Sequence, residues 1–152
     1  MAFPYSRAAG RVVVGVDGSE ASRSALRWAA RQAELTGADL EAVMAWKMPA
    51  ATYGYAVAVP PKVDLPSDAQ RSLDQFVQEV LADKPGLNVA RYVAEGPAAQ
   101  TLLREAKGAD LLVVGNRGHG ALVGLVLGSV SEYCVAHAAC PVVVVHAGWT
   151  EP

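Results

Sequence analysis

The stretch that decides the fold is residues 115–129, which read GNRGHGALVGLVLGS. It follows residues 109–114, whose apolar run predicts a buried strand, and it precedes residues 130–138, which predict a helix. Glycines have no Cβ, so their backbone can approach an anion closely, and the next helix adds unpaired N–H groups and the positive end of its dipole. The stretch therefore predicts an anion-binding loop between a strand and a helix, with glycines that only make turns as the alternative.

The loop has few polar side chains, and each of them also has a structural interpretation that involves no ligand. Ser129 and Glu132 have the Ser-x-x-Glu spacing of a capping box, so we expect Ser129 to cap the helix as well as face the anion. Arg117 could bind a phosphate or lie in solvent, and the sequence leaves both open. His119 has no visible nucleophile, paired carboxylate or metal cluster to work with, so we interpret it as a surface residue. We predict no catalytic residue and no metal-ligating residue.

Length and composition favour one domain with a substantial core. The chain has 152 residues, of which 52% are hydrophobic, and its net charge is −2. Because it has no cluster of basic residues, nucleic acid is not an expected partner. No apolar stretch reaches the ~18 residues of a membrane span, and no secretory signal is visible. We therefore expect no membrane contact and a cytoplasmic location, with Cys134 and Cys140 as reduced thiols and a disulfide between them as the alternative.

The periodicity of the chain predicts five strands that alternate with four helices. We predict strands at residues 11–16, 39–46, 87–94, 109–114 and 141–147, and helices at residues 20–36, 67–84, 97–108 and 130–138. Residues 47–66 contain four prolines and predict a long loop that could act as a lid. This order is typical of an α/β fold with a doubly wound five-stranded parallel sheet and helices on both faces. Ligands of such sheets bind beyond the carboxyl ends of the strands, where the winding reverses.

The glycine spacing of the loop, G-x2-G-x9-G-S, resembles the nucleotide-phosphate motif of ATP-binding members of the universal stress protein family. The residues that carry it are Gly115, Gly118, Gly128 and Ser129. Further segments resemble that family in the same order, and they are residues 12–19, 129–131 and 140–145. The resemblance covers about residues 10–147, the core of a single domain that we take to span residues 1–152. It implies a Rossmann-like sheet of order 3-2-1-4-5, ATP as the ligand, and no established catalytic residue.

In the strand order 3-2-1-4-5, Asp17 and Gly115 would face one another across the crevice at the reversal point. The resemblance implies that Asp17 contacts the nucleoside, and because its charge would repel phosphates we expect it at the sugar end. Satisfying N–H groups at the start of the first helix is its alternative role. The resemblance also implies backbone contacts to adenine at Ala45, where plain core packing is the alternative. The whole set of predicted nucleotide-binding residues is Gly15, Asp17, Ala45, Gly115, Asn116, Arg117, Gly118, His119, Gly120, Gly128, Ser129 and Val130.

These residues and the resemblance together predict an ATP-binding regulatory protein of the stress response. The loop has no Lys of the GxxxxGK[ST] type and no acidic residue placed to hold a catalytic metal or water. We therefore expect at most slow ATP hydrolysis, and whether the protein is an enzyme stays open. Balancing the charge of a triphosphate implies Mg²⁺ or Mn²⁺ bound through the phosphates. The alternatives are a slow ATPase, and an interaction module whose nucleotide binding is vestigial or directed to AMP or a cyclic nucleotide.

The last predicted strand, residues 141–147, reads PVVVVHA and is apolar on both faces. In the implied order it is an edge strand, and no Lys, obvious bulge or interior proline blunts that edge. We therefore expect a homodimer in which Pro141–Ala147 pairs antiparallel with its copy about a two-fold axis, as the resemblance also implies. Cover by residues 148–152 or by a loop is the alternative. Regulatory protein partners stay unknown.

Overall fold

The computed structural model describes residues 10–47, 65–118 and 127–152. These residues form five strands and four helices in strict alternation. The strands are β1 (Arg11–Gly15), β2 (Asp39–Trp46), β3 (Val89–Glu95), β4 (Leu111–Gly115) and β5 (Val142–Val145), and the helices are α1 (Glu20–Thr36), α2 (Leu65–Val80), α3 (Ala98–Glu105) and α4 (Ser129–His137). All neighbouring strands are parallel, and the sheet order β3-β2-β1-β4-β5 confirms the predicted fold class and strand order.

Two pairs of helices cover the two faces of the sheet. Successive residues of β1 point to opposite faces, so Val14 joins one core cluster and Val13 joins the other. α1 and α2 cover the first face, where Leu26 is fully buried, and α3 and α4 cover the second, where Leu102 packs. Because the central strands are covered on both faces, apolar side chains are favoured on both, which explains the runs of Val and Leu in β1 and β4. No helix in the described parts of the chain is long and apolar enough to cross a membrane.

α2 begins two residues earlier than the sequence predicts. The sequence predicts a loop over residues 47–66 and a helix from Ser67, whereas the helix begins at Leu65 and holds Pro66 in its first turn. Proline is tolerated there because the N–H groups of the first turn have no partner within the helix. The rest of the predicted loop, residues 48–64, lies outside the described residues, as do residues 1–9 and 119–126.

α4 begins one residue earlier than the capping-box prediction requires. Gly128 is the N-cap, in extended backbone with φ −79° and ψ 169°, and Ser129 is the first residue of the helix. The N–H of Gly128 donates to the Asn116 carbonyl at 2.6 Å, which fixes the point where the chain enters the helix. The prediction that Ser129 caps α4 with Glu132 is therefore wrong.

The chain after β5 returns across α1. The N–H of Gly148 donates to Ser24 Oγ at 3.1 Å. Glu151 lies 3.5 Å from Lys84 Nζ, which also donates to Glu34 Oε2 at 2.7 Å. These contacts hold the C-terminal residues on the α1 face of the sheet.

Candidate functional site

A cavity of about 290 Å³ opens at the carboxyl edge of the sheet, between the ends of β1 and β4. The chain winds from β1 to β2 and β3 on one side, and to β4 and β5 on the other, so the winding reverses at this point. The cavity also reaches the end of β2 and the beginnings of α1, α3 and α4. It therefore lies where the predicted functional turns meet.

Nine of the twelve predicted site residues line this cavity, and the structure brings them together from four separate segments. They are Gly15, Asp17, Ala45, Gly115, Arg117, Gly118, Gly128, Ser129 and Val130. Asn116 is not part of the lining. His119 and Gly120 fall outside the described residues.

Asn116 is buried, with 5% of its surface exposed, and its polar groups bond to the protein. Its N–H donates to the Val145 carbonyl at 2.8 Å, and its side-chain Oδ1 accepts from the N–H of Ala147 at 3.2 Å. Its own carbonyl accepts from the N–H of Gly128 and from Ser131 Oγ at 3.1 Å. The structure therefore gives Asn116 a supporting position behind the loop instead of a place in the cavity.

Close packing requires glycine at position 115 of the loop, whereas position 128 has room for a Cβ but lies against the loop backbone. A Cβ on Gly115 would stand 2.7 Å from the backbone carbonyl carbon of Ala21, because the first turn of α1 packs directly on the end of β4. A Cβ on Gly128 would stand 3.4 Å from Arg117 Cα, since the two described ends of the loop pack against each other. A larger side chain at Gly128 would have to enter the cavity or part these ends.

Asp17 has contacts on both sides of the cavity. Its Oδ1 accepts from the N–H of Ser19 at 2.9 Å, which fixes the turn before α1. Its Oδ2 lies against Gly118, in the space that a Cβ on that residue would occupy. The N–H contact agrees with the alternative role predicted for Asp17, and the position in the lining agrees with the functional one. The contact with Gly118 places the carboxylate beside the glycine loop.

The starts of α1 and α4 differ in what covers their N–H groups. Ser19 is the N-cap of α1, and its Oγ accepts from the N–H of Ser22 at 3.2 Å. The N-cap of α4 is Gly128, which has no side chain to accept from the first turn. The first-turn N–H groups of α4, which have no N-cap side chain as acceptor, and the positive end of the helix dipole therefore suit an anion.

The sequence reasoning missed part of the lining. The missed residues are Val16, Ser19, Ser22, Val43, Ala98, Leu102, Val114 and Ser131. Ser19 had a usable signal, because a Ser between a strand and a helix is a typical N-cap. Leu102 and Ala98 had none, because which face of α3 turns to the cavity depends on how the helix packs on the sheet.

The cavity has an apolar part and a polar part. The apolar part, which we call the apolar floor, consists of Gly15, Val43, Ala45 and Leu102, at the ends of β1 and β2 and on α3. The polar part lies on the other side of β1, where the glycine loop and α4 begin. Among the described lining residues, Arg117 and Asp17 carry charge. An amphipathic ligand with an apolar body and an anionic end fits this division.

The cysteines and histidines of the described residues do not form a metal centre. No group of three or more His, Cys, Asp or Glu in these parts of the chain could hold a metal ion. Cys134 and Cys140 are both free thiols, and burial raises the pKa of Cys134 to about 11. A thiol with so high a pKa stays protonated near neutral pH and is a poor nucleophile.

Comparison with known proteins shows which family this chain resembles. Residues 9–146 match the model of the Universal stress protein family. A universal stress protein of Mycolicibacterium smegmatis is 37% identical over 142 residues, which cover 89% of this chain and 47% of that protein. One of Mycobacterium tuberculosis is 38% identical over 144 residues, with the same shares covered. The chain thus spans about half the length of the curated relatives that it matches.

Solved structures agree in fold. The universal stress protein UspA from Lactobacillus plantarum superposes with a TM-score of 0.74 at 24% identity, covering 90% of this chain and 97% of that one. A universal stress protein solved in complex with cAMP superposes with a TM-score of 0.68 at 27% identity, covering 91% and 98%. Because the family model spans nearly the whole chain and solved members share its fold, the chain belongs to the universal stress protein family.

Proposed function

We propose that this chain binds a nucleotide, with ATP as its ligand, in the cavity between β1 and β4, and that it acts as a regulatory protein with at most slow hydrolysis. The observation that carries the proposal is the meeting of four separate segments, each predicted from sequence, in one cavity at the reversal point of the sheet. Helix N-termini and strand ends converge at that point in every doubly wound sheet, which makes it suited to phosphates.

The phosphates would lie at the polar part of the cavity. There the backbone of Gly118 and Gly128 is close to the ligand space, and the first-turn N–H groups of α4 have no N-cap side chain over them. Arg117 is the cationic side chain among the described lining residues and could add a charge-assisted hydrogen bond. Backbone amides, a helix end and one guanidinium together favour an anion at this position.

The base would lie on the apolar floor, and the sugar between floor and loop. The relative solved in complex with cAMP supports a nucleotide as the ligand class, and it makes a cyclic nucleotide the second candidate. ATP remains our first choice because the spacing G-x2-G-x9-G-S resembles the motif of the ATP-binding members of the family.

A divalent ion would accompany the triphosphate. Asp17 lies beside Gly118, so a phosphate bound at the loop would meet a carboxylate of like charge. Mg²⁺ or Mn²⁺ held through the phosphates would offset this repulsion. We therefore propose the metal complex of ATP, and not free ATP, as the bound species.

Titration calorimetry with ATP, AMP and cAMP, each with and without Mg²⁺, tests the proposal. We expect saturable binding of ATP with Mg²⁺ and a large loss in the Gly128→Glu variant, because a carboxylate there would enter the phosphate position at the start of α4. Circular dichroism establishes that the variant is folded. Unchanged affinity in folded Gly128→Glu protein would contradict the phosphate-loop assignment.

Gly86→Glu is the matched control for that variant. It adds the same charge in the turn before β3, at the opposite edge of the sheet, where a Cβ would have no atom within 4 Å. We expect its ATP affinity to equal that of the wild type. Incubation with labelled ATP then separates binding from turnover, since a regulatory protein retains the nucleotide and releases little phosphate.

We also propose that the protein is a homodimer through β5 and works in the cytoplasm. β5 is the edge of the sheet next to β4, and its four residues are all Val. Such a strand favours pairing with a second copy. The two free thiols support a reducing compartment.

A further inference from the structure

We infer that Leu102 sets the size of the base that the cavity accepts, acting with Gly15 as a packed pair. The inference rests on the proposed nucleotide binding and specifies which nucleotides the site admits. It is carried by the contact between a leucine of α3 and the last residue of β1.

Leu102 is fixed in place by its surroundings. It is 5% exposed, lies on α3 and joins the core cluster that contains Val13, Val43 and Val114. A Cβ built on Gly15 would stand 2.7 Å from Leu102 Cδ1 and 3.2 Å from Cδ2. Both methyl groups of Leu102 therefore rest on the backbone of β1, in the space that any other residue at position 15 would fill.

The side chain of Leu102 also forms part of the apolar floor of the cavity. Leu102 and Ala98 lie four residues apart on α3, so they share the face of the helix that lines the cavity. Gly15 and Val43 are register partners in β1 and β2, and they continue the lining across the sheet. Leu102 is the largest apolar side chain in the described lining, so it determines how deep the apolar floor lies.

The side chains of the apolar floor carry no hydrogen-bonding group. Gly15, Val43, Ala45 and Leu102 can select a base only through shape and through their backbone atoms. A base with an added substituent directed at the floor collides with Leu102, and Leu102 cannot yield toward β1 because Gly15 already touches it. Selection by size at this point therefore excludes enlarged bases.

The Leu102→Ala variant tests the inference, because it should bind enlarged ATP analogues more tightly than the wild type does. The probes are ATP and ATP analogues with benzyl on the exocyclic amine, methylthio on C2 or bromine on C8, so that each direction of the base is sampled. We expect at least one analogue to bind Leu102→Ala at least about tenfold more tightly, relative to ATP, than it binds the wild type. A purely structural role for Leu102 would weaken all ligands together and would not produce this gain.

Leu103→Ala is the matched control, because it removes the same atoms from the next residue of α3, which does not line the cavity.

A second pair of variants tests the contact between Gly15 and Leu102 itself. Gly15→Ala should displace Leu102 and weaken ATP binding, and Gly15→Ala combined with Leu102→Ala should recover part of the loss. Leu102→Val serves in place of Leu102→Ala if the alanine variant does not fold.

The outcomes separate this inference from the proposed function. If the wild type binds no nucleotide, the proposed function is wrong and the inference falls with it. If wild type and Leu102→Ala both bind ATP but discriminate equally against every analogue, the inference alone is wrong. An equal gain in Leu103→Ala would also overturn it.

Discussion

The carboxylate of Asp17 lies against Gly118, with Oδ2 in the space that a Cβ on residue 118 would need. One residue follows β1 and the other follows β4, so their contact crosses the reversal point of the sheet. The carboxylate is also held on its other side, where Oδ1 accepts from the N–H of Ser19. The glycine loop therefore meets a fixed negative charge at the mouth of the cavity.

Gly118→Ala should weaken ATP binding and leave the domain folded. The added methyl group must displace the Asp17 carboxylate and enter the space beside the loop. We expect a loss on the order of tenfold in affinity, or about 1.4 kcal/mol, by titration calorimetry. In an Asp17→Ala background the methyl group has room, so the further loss from Gly118→Ala should shrink. An equal loss in both backgrounds would show that the contact with Asp17 is not the cause.

Asp17→Ala should lower ATP affinity by about 10- to 150-fold, which corresponds to the roughly 1.5–3 kcal/mol of a charge-assisted hydrogen bond. The loss should be smaller for a nucleotide modified at its ribose hydroxyls, which cannot make that bond. Asp17→Asn is the control for the turn, because its amide oxygen can still accept from the N–H of Ser19. Equal losses for both nucleotides would mean that Asp17 serves the turn and not the ribose.

Val144→Pro should convert the proposed homodimer into a folded monomer. The carbonyls of Pro141 and Val145 accept from N–H groups of β4 and the loop after it, so the odd-numbered residues of β5 face β4. The N–H of Val144 then points outward, where a second copy would pair, and its loss leaves the bonds to β4 intact. Sedimentation at micromolar concentration should give twice the chain mass of 15.9 kDa for the wild type and the chain mass for the variant.

Val143→Pro is the counterpart, since its N–H faces β4 and its loss should destabilise the domain itself. A wild type that sediments as a monomer would show that the dimer prediction is wrong.

We expect the free energy of unfolding to fall at alkaline pH as Lys84 loses its charge. The hydrogen bond to Glu34 raises the pKa of Lys84 above its ordinary value of 10.5, against the effect of burial, and the charges of Glu34 and Glu151 act in the same direction. A pKa raised by folding stabilises the protein fully below the unfolded value, and that contribution is lost as pH rises through the folded value. Urea unfolding should therefore show that Lys84→Gln is less stable than the wild type near neutral pH and that this difference shrinks as the pH rises beyond 10.5. Lys107→Gln, at an exposed lysine, is the control for the loss of a lysine charge.

The strand order could be predicted only through the family resemblance, whereas strand ends and the glycine spacing in the local sequence point to nine residues of the cavity lining. Gly115 and Asp17 each follow an apolar run, and the sheet order alone decides that the two runs lie side by side. The start of α4 could not be predicted, because a hydrogen bond between Gly128 and Asn116 moves the cap away from Ser129. That bond joins two ends of a loop, and no local pattern encodes it.

The supporting residues escaped prediction for a related reason. Asn116 lies in the middle of the glycine motif and resembles a ligand-binding residue, yet its side chain bonds to Ala147 at the far end of the chain. Leu102 resembles any core leucine of an amphipathic helix until α3 is packed on Gly15. Their roles depend on contacts between segments far apart in sequence, and those contacts become visible only in the folded chain.

Asn116 also joins two parts of the molecule that serve different purposes. Through its backbone and side chain it bonds at once to Gly128 at the start of α4 and to Val145 and Ala147 at the end of β5. A ligand that moved Gly128 would therefore act on a residue that also holds the end of the edge strand. Thermodynamic linkage is reciprocal. If such a ligand changed the affinity of the edge strand for a partner, binding of the partner would change the affinity for the ligand by the same factor. One buried asparagine thus connects the start of α4, at the cavity, to the edge strand β5 through hydrogen bonds.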